Sequence, residues 1–365
     1  MIEKSKHYKT QRLLSYQDAD ILMSIGGRGI GKTYGFKDYC IKRYLKHNEQ
    51  FVYLRRYESE LTNMQGFFSD LNEPYIEKYD FKVKGDKFLI KAKDEKDYSI
   101  LGYIMTLSKI KTAKGAPYPL VGTILFDEFL VTAEDKLVGR YLKGEEKILC
   151  DLYESIARER NVKLIMISNA ISTNNPYFHA FHVRPKPKAI TRHKTKLVEN
   201  INGEQVEDEF NVVLEMVEAD DYMRDKAHTR SGKMMMVSGM AETSLNNDFY
   251  KDNYSFIEQV PKNSKLNFLM NIKTNGKMYG IFSSKLKDAK GNQKVYALKR
   301  TQPNNPRTYC CDIDELDENT VYVKGNNDNL AINNLKIIVK NNMLYFQTLT
   351  VKYDIMDFLY DINIL

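Results

Sequence analysis

The chain has 365 residues, 42% hydrophobic and 28% charged, with a net charge of +7. That balance excludes a disordered chain, and no apolar run approaches the ~20 residues a membrane-spanning helix needs. The length accommodates two domains, and the positive charge permits a polyanionic partner without identifying one.

The opening residues, MIEKSKHYKTQR, lack the apolar core of a signal peptide, so the expected compartment is the cytoplasm. Cys40, Cys150, Cys310 and Cys311 show no metal-ligand spacing and fit a reducing environment. Gln11, Tyr16 and Gln17 precede the first apolar run. They read either as contacts to an adenine base or as a surface turn.

Residues 21–25 (ILMSI) form an apolar run of strand character, followed at once by GGRGIGKT. This is G-x-x-x-x-G-K-[ST], the phosphate-cradling P-loop. Gly26, Gly27, Arg28, Gly29, Ile30 and Gly31 form its turn, where glycine lets successive N–H groups converge on an anion. Lys32 is placed to reach the terminal phosphates, and the Thr33 hydroxyl to hold Mg²⁺. A helix starting near Lys32 adds its positive end. Its apolar spacing continues over residues 34–46.

A second strand is expected at residues 51–54 (FVYL), ending in Arg55-Arg56. The two arginines are read as facing phosphate, a neighbouring subunit or solvent. Residues 58–71 have the pattern of a helix, and 81–90 and 98–107 that of strands. Residues 109–119, KIKTAKGAPYP, form a basic loop broken by glycine and proline. Then TILFDE, residues 123–128, delivers Asp127 and Glu128 at the end of a strand. In P-loop ATPases the first carboxylate serves the Mg²⁺ shell and the second polarises water. This pairing predicts an α/β fold of the additional-strand, catalytic-glutamate P-loop class (ASCE). No Asn/Thr-Lys-x-Asp element for guanine is present, which favours ATP.

A helix is expected at residues 147–160, and a third apolar strand at 162–167 (VKLIMI). Asn169, just past that strand, is the candidate γ-phosphate sensor, with a turn or cap as its alternative role. Arg158 and Arg160, before the strand, are candidates for a finger reaching another subunit's ATP. Basic, proline-containing residues 184–196 read as the end of the nucleotide domain. The organisation expected is a P-loop domain over 1–200, a helical or irregular connector or lid over 201–247, and a strand-rich α+β domain over 248–365. In the last, strands are expected at 265–272, 277–282, 294–298, 320–323, 335–339 and 343–346.

Taken together, GGRGIGKT, FVYLRRY, TILFDEF, RER, ISNA and NPYF, in this order, resemble the DNA-packaging ATPases of phi29-type short-tailed bacteriophages. The resemblance implies an ATP-driven motor that pumps double-stranded viral DNA through a portal into a procapsid. It implies a homo-oligomeric ring, a pentamer in that family, docked transiently on the procapsid in the host cytoplasm, with a structural RNA as a further partner. ATP would be held by Gly26 to Thr33, Mg²⁺ by Thr33 and Asp127, and water activated by Glu128. Arg158 falls where that family has its trans-acting finger, across a one-residue gap that leaves Arg160 a rival. Lys114 falls where a second basic residue crosses the interface. Arg28 acts in cis or on a neighbour. The C-terminal domain would resemble a vestigial RNase H-like nuclease. Its acidic residues, Asp312, Asp314, Glu315, Asp317 and Glu318, form one local run, whereas a two-metal nuclease needs carboxylates converging from separate elements. A nuclease-competent terminase and a non-packaging nucleic-acid-dependent ATPase are the alternatives.

Overall fold

The computed structural model describes residues 8–71, 73–109, 117–131, 141–142, 144–169, 175–185, 189–201, 204–217, 220–237, 256–300, 307–324, 329–362 and 364. The chain divides into two compact units, Met1–Tyr250 and Lys251–Leu365.

The first unit is built on strands β1 (Ile21–Gly26), β2 (Gln50–Arg55), β3 (Tyr79–Lys84), β4 (Lys87–Ala92), β5 (Ser99–Thr106), β6 (Val121–Asp127), β7 (Lys163–Asn169), β8 (Ile190–Ile201) and β9 (Glu204–Met216). They form one sheet in the order β3-β4-β5-β2-β6-β7-β1-β9-β8. The strands from β5 to β9 run parallel, and an antiparallel extension closes each edge. β7 lies between the P-loop strand β1 and the carboxylate strand β6. That inserted strand defines the expected ASCE class.

A parallel sheet is covered on both faces, so its central strands are apolar throughout. In β1, Met23 and Ile25 enter one core, while Leu22 enters the other. The helix Lys32–His47 covers one face with Phe36, Cys40 and Ile41. The helix Glu145–Ala157 covers the other with Leu149, Leu152 and Ile156.

Two expectations for the first unit are corrected by the structure. Residues 58–71 are not one helix but short 3-10 turns, Glu58–Leu61 and Met64–Gly66. Glu60 is tied back to the Arg56 N–H and the Arg55 guanidinium, both at 3.1 Å, which binds this stretch to the end of β2. Residues 201–247 do not begin as a helical or irregular connector. β9 pairs in parallel with β1, Ser24 beside Glu215, and β8 pairs along its length with β9. Only then come the helices Asp220–Ala227 and Arg230–Val237.

The second unit contains β10 (Leu266–Thr274), β11 (Lys277–Lys287), β12 (Gln293–Arg300), β13 (Thr308–Cys310), β14 (Thr320–Tyr322) and β15 (Leu344–Phe346), in the order β14-β13-β10-β11-β12-β15. β10, β11 and β12 form an antiparallel meander, with β13 and then β14 added in parallel beside β10. This is the strand plan of an RNase H-like sheet, with β15 as an extra parallel edge. Ile272, Ile281 and Ala297 pack with Leu335, Ile355 and Phe358 from two helices, Leu330–Lys340 and Leu349–Asp361. Residues 335–339, read as a strand from their β-branched content, belong to the first of these. The Asn329 side chain caps it, accepting from Ala331 and Ile332 N–H, and Ile332 and Leu335 keep helical spacing. Among the described residues no helix is long and apolar enough to cross a membrane.

Candidate active site

The order β6-β7-β1 brings three strand ends side by side. At this carboxyl edge a cavity of about 320 Å³ is lined by Arg28, Gly29, Gly31, Lys32, Thr33, Tyr34, Asp127, Glu128, Ser168 and Asn169. Open parallel sheets bind ligands at this edge. Gly31 caps the helix Lys32–His47 with φ of +96°, and Gly29 has φ of +85°, which suits glycine at both turns.

Lys32 is buried, and its ammonium donates to the carbonyls of Gly26 and Gly27, both at 2.9 Å, and to Asn169 Oδ1 at 3.4 Å. Burial pushes this ammonium down to about 8; the charges of Asp127 and Glu128 oppose that fall and Lys226 adds to it. Thr33 Oγ1 donates to Asp127 Oδ2 at 3.2 Å, and the Tyr53 hydroxyl donates to the same oxygen at 2.9 Å. Burial raises the Asp127 carboxyl above its ordinary range, while Arg55 pulls it back. A hydroxyl and a carboxylate in contact fit Mg²⁺, which takes few protein ligands and completes its shell with phosphate and water.

Glu128 follows β6 with φ of +56°. Its carboxylate accepts from the Arg55 guanidinium, which also meets Glu60 at 3.1 Å. Its carbonyl is held by Arg56 at 3.3 Å, and the next carbonyl, of Phe129, by the same guanidinium at 2.6 Å. Arg56 is buried and donates from Nε to both oxygens of Glu145, at 2.9 and 2.8 Å. Glu145 is fully buried and also accepts from the Tyr177 hydroxyl and the Leu142 N–H.

Most of the sequence candidates meet here: the residues of the P-loop with Asp127, Glu128 and Asn169. Arg158 does not. β7 starts at Lys163, beside Thr123 at the start of β6. Arg158, just upstream, therefore lies at the opposite end of the sheet from its own P-loop. It is exposed, caps the helix Glu145–Ala157 and has φ of +51°. Arg160 is committed elsewhere, its guanidinium donating to the carbonyls of Tyr118 at 2.8 Å, Pro119 at 3.0 Å and Val121 at 2.7 Å. Lys114 lies outside the described residues. Gln11, Tyr16 and Gln17 do not line the cavity; Gln17 donates to Leu14 O and Tyr16 sits under Arg192.

Sequence reasoning missed Tyr53, Glu145, Tyr177 and Lys226. Tyr53 read as one more strand residue, and Glu145 fell just outside the helix expected at 147–160, which in fact begins at Glu145. Arg55, Arg56 and Glu128 were singled out, but not the pairing of Arg55 with Glu128 or of Arg56 with Glu145.

The fold and cavity define a P-loop nucleoside triphosphatase of the ASCE class. The profile of the podovirus DNA encapsidation protein (Gp16) matches residues 2–362, and the chain belongs to this family. The DNA packaging proteins of Bacillus phages PZA and phi29 are each 31% identical over 357 residues, covering 96% of both chains. The solved bacteriophage phi-29 viral genome packaging motor assembly aligns with a TM-score of 0.59 at 29% identity, covering 98% of this chain and 99% of that one.

Two measurements follow from this geometry. Glu145→Ala leaves the Arg56 guanidinium buried without its carboxylate and should destabilise the first unit by about 3–5 kcal/mol. Denaturant unfolding followed by tryptophan-free near-UV signals would show it; an unchanged midpoint would refute the buried pair. Lys32 must be protonated to attract phosphate, and its protonated fraction falls as pH rises through about 8. Bound anion favours the charged form, so nucleotide affinity should be flat below that pH and weaken above it. A titration from pH 6.5 to 9.5 checks this, and affinity that rises with pH contradicts it.

Proposed function

We propose that this chain is the ATP-hydrolysing subunit of an oligomeric motor that drives double-stranded phage DNA through a portal into a procapsid, in the host cytoplasm. The observation that carries this is the convergence of Lys32, Thr33, Asp127, Glu128 and Asn169 on one cavity in a member of a DNA encapsidation family.

In this reading the P-loop amides and Lys32 hold the phosphates. Thr33 and Asp127 would hold Mg²⁺, which neutralises phosphate charge. Asn169, already beside Lys32, senses the γ-phosphate. Glu128 orients the attacking water, and its contact with Arg55 must part first, because a carboxylate engaged by a guanidinium is a poor base. Arg158 completes a neighbour's site, since its position excludes its own; Lys114 is the second basic residue assigned across that interface. A pentameric ring and a structural RNA remain part of the proposal through the family. DNA contacts go mainly to phosphates, because packaging cannot depend on sequence.

The acidic run of the second unit supports translocation without cutting. Asp317 is pushed down to about 2 by its bonds to Thr320 and Lys273. Glu315 accepts from the Gly276 N–H at 2.6 Å. These carboxylates tie a loop together.

The test is steady-state ATP hydrolysis by the full chain with linear duplex DNA, single strands, RNA and then procapsids. Duplex-specific stimulation is expected, and Glu128→Gln should bind ATP yet turn over about 10²- to 10⁴-fold more slowly. Hydrolysis indifferent to duplex DNA even with procapsids, or normal turnover in that variant, would sink the reading. Arg158→Ala should lower stimulated turnover by about 10³-fold or more. Mixed with Glu128→Gln, itself inactive, it should regain activity, because an Arg158→Ala site can borrow the arginine of a Glu128→Gln neighbour. Mixtures of the two variants that stay as inactive as either alone would place the residue outside the interface.

A further inference from the structure

The P-loop is held from outside its own motif. Lys32 covers the carbonyls of Gly26 and Gly27. The next carbonyl, of Arg28, accepts from the Lys226 ammonium at 2.5 Å. Two lysines thus cap three successive carbonyls. Lys226 stands on the helix Asp220–Ala227, which also places Tyr222 in a small apolar cluster with Ile30 and Val217. A Cβ added at Gly29 would lie 3.1 Å from the Tyr222 hydroxyl and 3.2 Å from the Lys226 ammonium. The helix is therefore seated directly against the middle of the loop.

A trans peptide is planar, and its C=O and N–H point opposite ways. Drawing the Arg28 carbonyl toward the helix turns the Gly29 N–H away from it. We propose that Lys226 is a positioning residue of the nucleotide site: it locks the Arg28–Gly29 peptide so that the Gly29 N–H faces the triphosphate. This rests on reading Gly26 to Thr33 as the nucleotide cradle. Gly29 has no side chain to resist rotation, so without the lock the plane can turn and present a carbonyl to the anion. Nucleotide affinity then depends on a helix nearly 200 positions away in sequence.

The test compares wild type, Lys226→Met, Lys226→Gln and Lys226→Arg in the full chain. The readouts are dissociation constants for fluorescent ATP and ADP analogues, and the split between KM and kcat. Lys226→Met keeps the apolar stem and should weaken both nucleotides about tenfold or more, the scale of a charge-assisted hydrogen bond. KM should rise with kcat little changed, because ground and transition states lose the same contact. Lys226→Arg should restore most of the affinity. The loss should persist at high salt, which screens a merely electrostatic attraction. Equal affinity in wild type and Lys226→Met, a defect that salt abolishes, or an arginine as weak as methionine each overturns the lock. If Lys226→Met fails to fold by circular dichroism, the arginine and glutamine variants decide: glutamine, able to donate without charge, should bind better than a mere loss of charge allows. Wild type that binds no nucleotide would instead refute the cradle itself.

Discussion

The buried guanidinium of Arg56 governs the carboxyl edge of the first sheet. It sits under the turn that follows β6 and must be satisfied there, because an unpaired charge in the interior costs several kcal/mol, on the order of 3–5. Glu145 takes the charge, and the carbonyls of Glu128 and Phe129 each accept from one of the terminal nitrogens. A planar fork reaches all three at once, which a lysine ammonium on a flexible stem would not do in the same geometry. The consequence is a fixed backbone at Glu128. Its φ of +56° is a conformation that costs a non-glycine residue on the order of 1–3 kcal/mol unless its surroundings impose it. Arg56 imposes it from below, while Arg55, the preceding residue, meets the Glu128 side chain. One dipeptide at the end of β2 thus sets both the main chain and the carboxylate of the candidate base.

The same edge gathers positive charge that the carboxylates beside it offset only in part among the described residues. Lys32, Arg28 and Lys226 gather around the loop, and Lys226 works against the charge on Lys32. Asp127 and Glu128 offset part of it, yet Asp127 is itself shielded by Thr33, Tyr53 and Arg55. Of these cations only Lys32 is buried, and a polyanion bound at the loop would offset the repulsion among all three. Lys32 and Lys226 donate to the loop's own carbonyls, a geometry that holds the loop in shape.

The P-loop and the Asp127-Glu128 pair were legible because each is a short run whose chemistry needs fixed types at fixed spacing. β7 was legible as an apolar run, and its place between β1 and β6 follows from the class that the two motifs define. What was not legible depends on partners far apart in the chain. Arg56 and Glu145 are 89 positions apart, and Arg28 and Lys226 are 198 apart. No local pattern marks either pair. β9 was missed because acidic residues dominate its start, while only its latter half, from Val212 to Met216, is buried beside β1. Residues 335–339 misled in the other direction: a β-branched run suggested a strand, but the Asn329 cap and the packing of Leu335 made it a helix. Tertiary context outweighed propensity there.

The two arginines before β7 carry different duties in the fold. Arg160 binds the segment that leads into β6, and removing it would leave the carbonyls of Tyr118, Pro119 and Val121 without that donor. A side chain so used cannot reach outward without dismantling the start of its own sheet. Arg158 has no such duty among its hydrogen bonds, and the turn at φ of +51° projects it from the end of the helix Glu145–Ala157. Because strands β1, β6 and β7 are parallel, the edge that bears Arg158 and the edge that bears the P-loop are opposite ends of one layer. Any contact that joins the first edge of one copy to the second edge of another is head-to-tail. Such a contact uses two different surfaces, and repeated around an axis it closes into a ring. If Arg158 completes a neighbour's site as proposed, the parallel order of the sheet makes that shared site and a cyclic assembly the same geometric requirement.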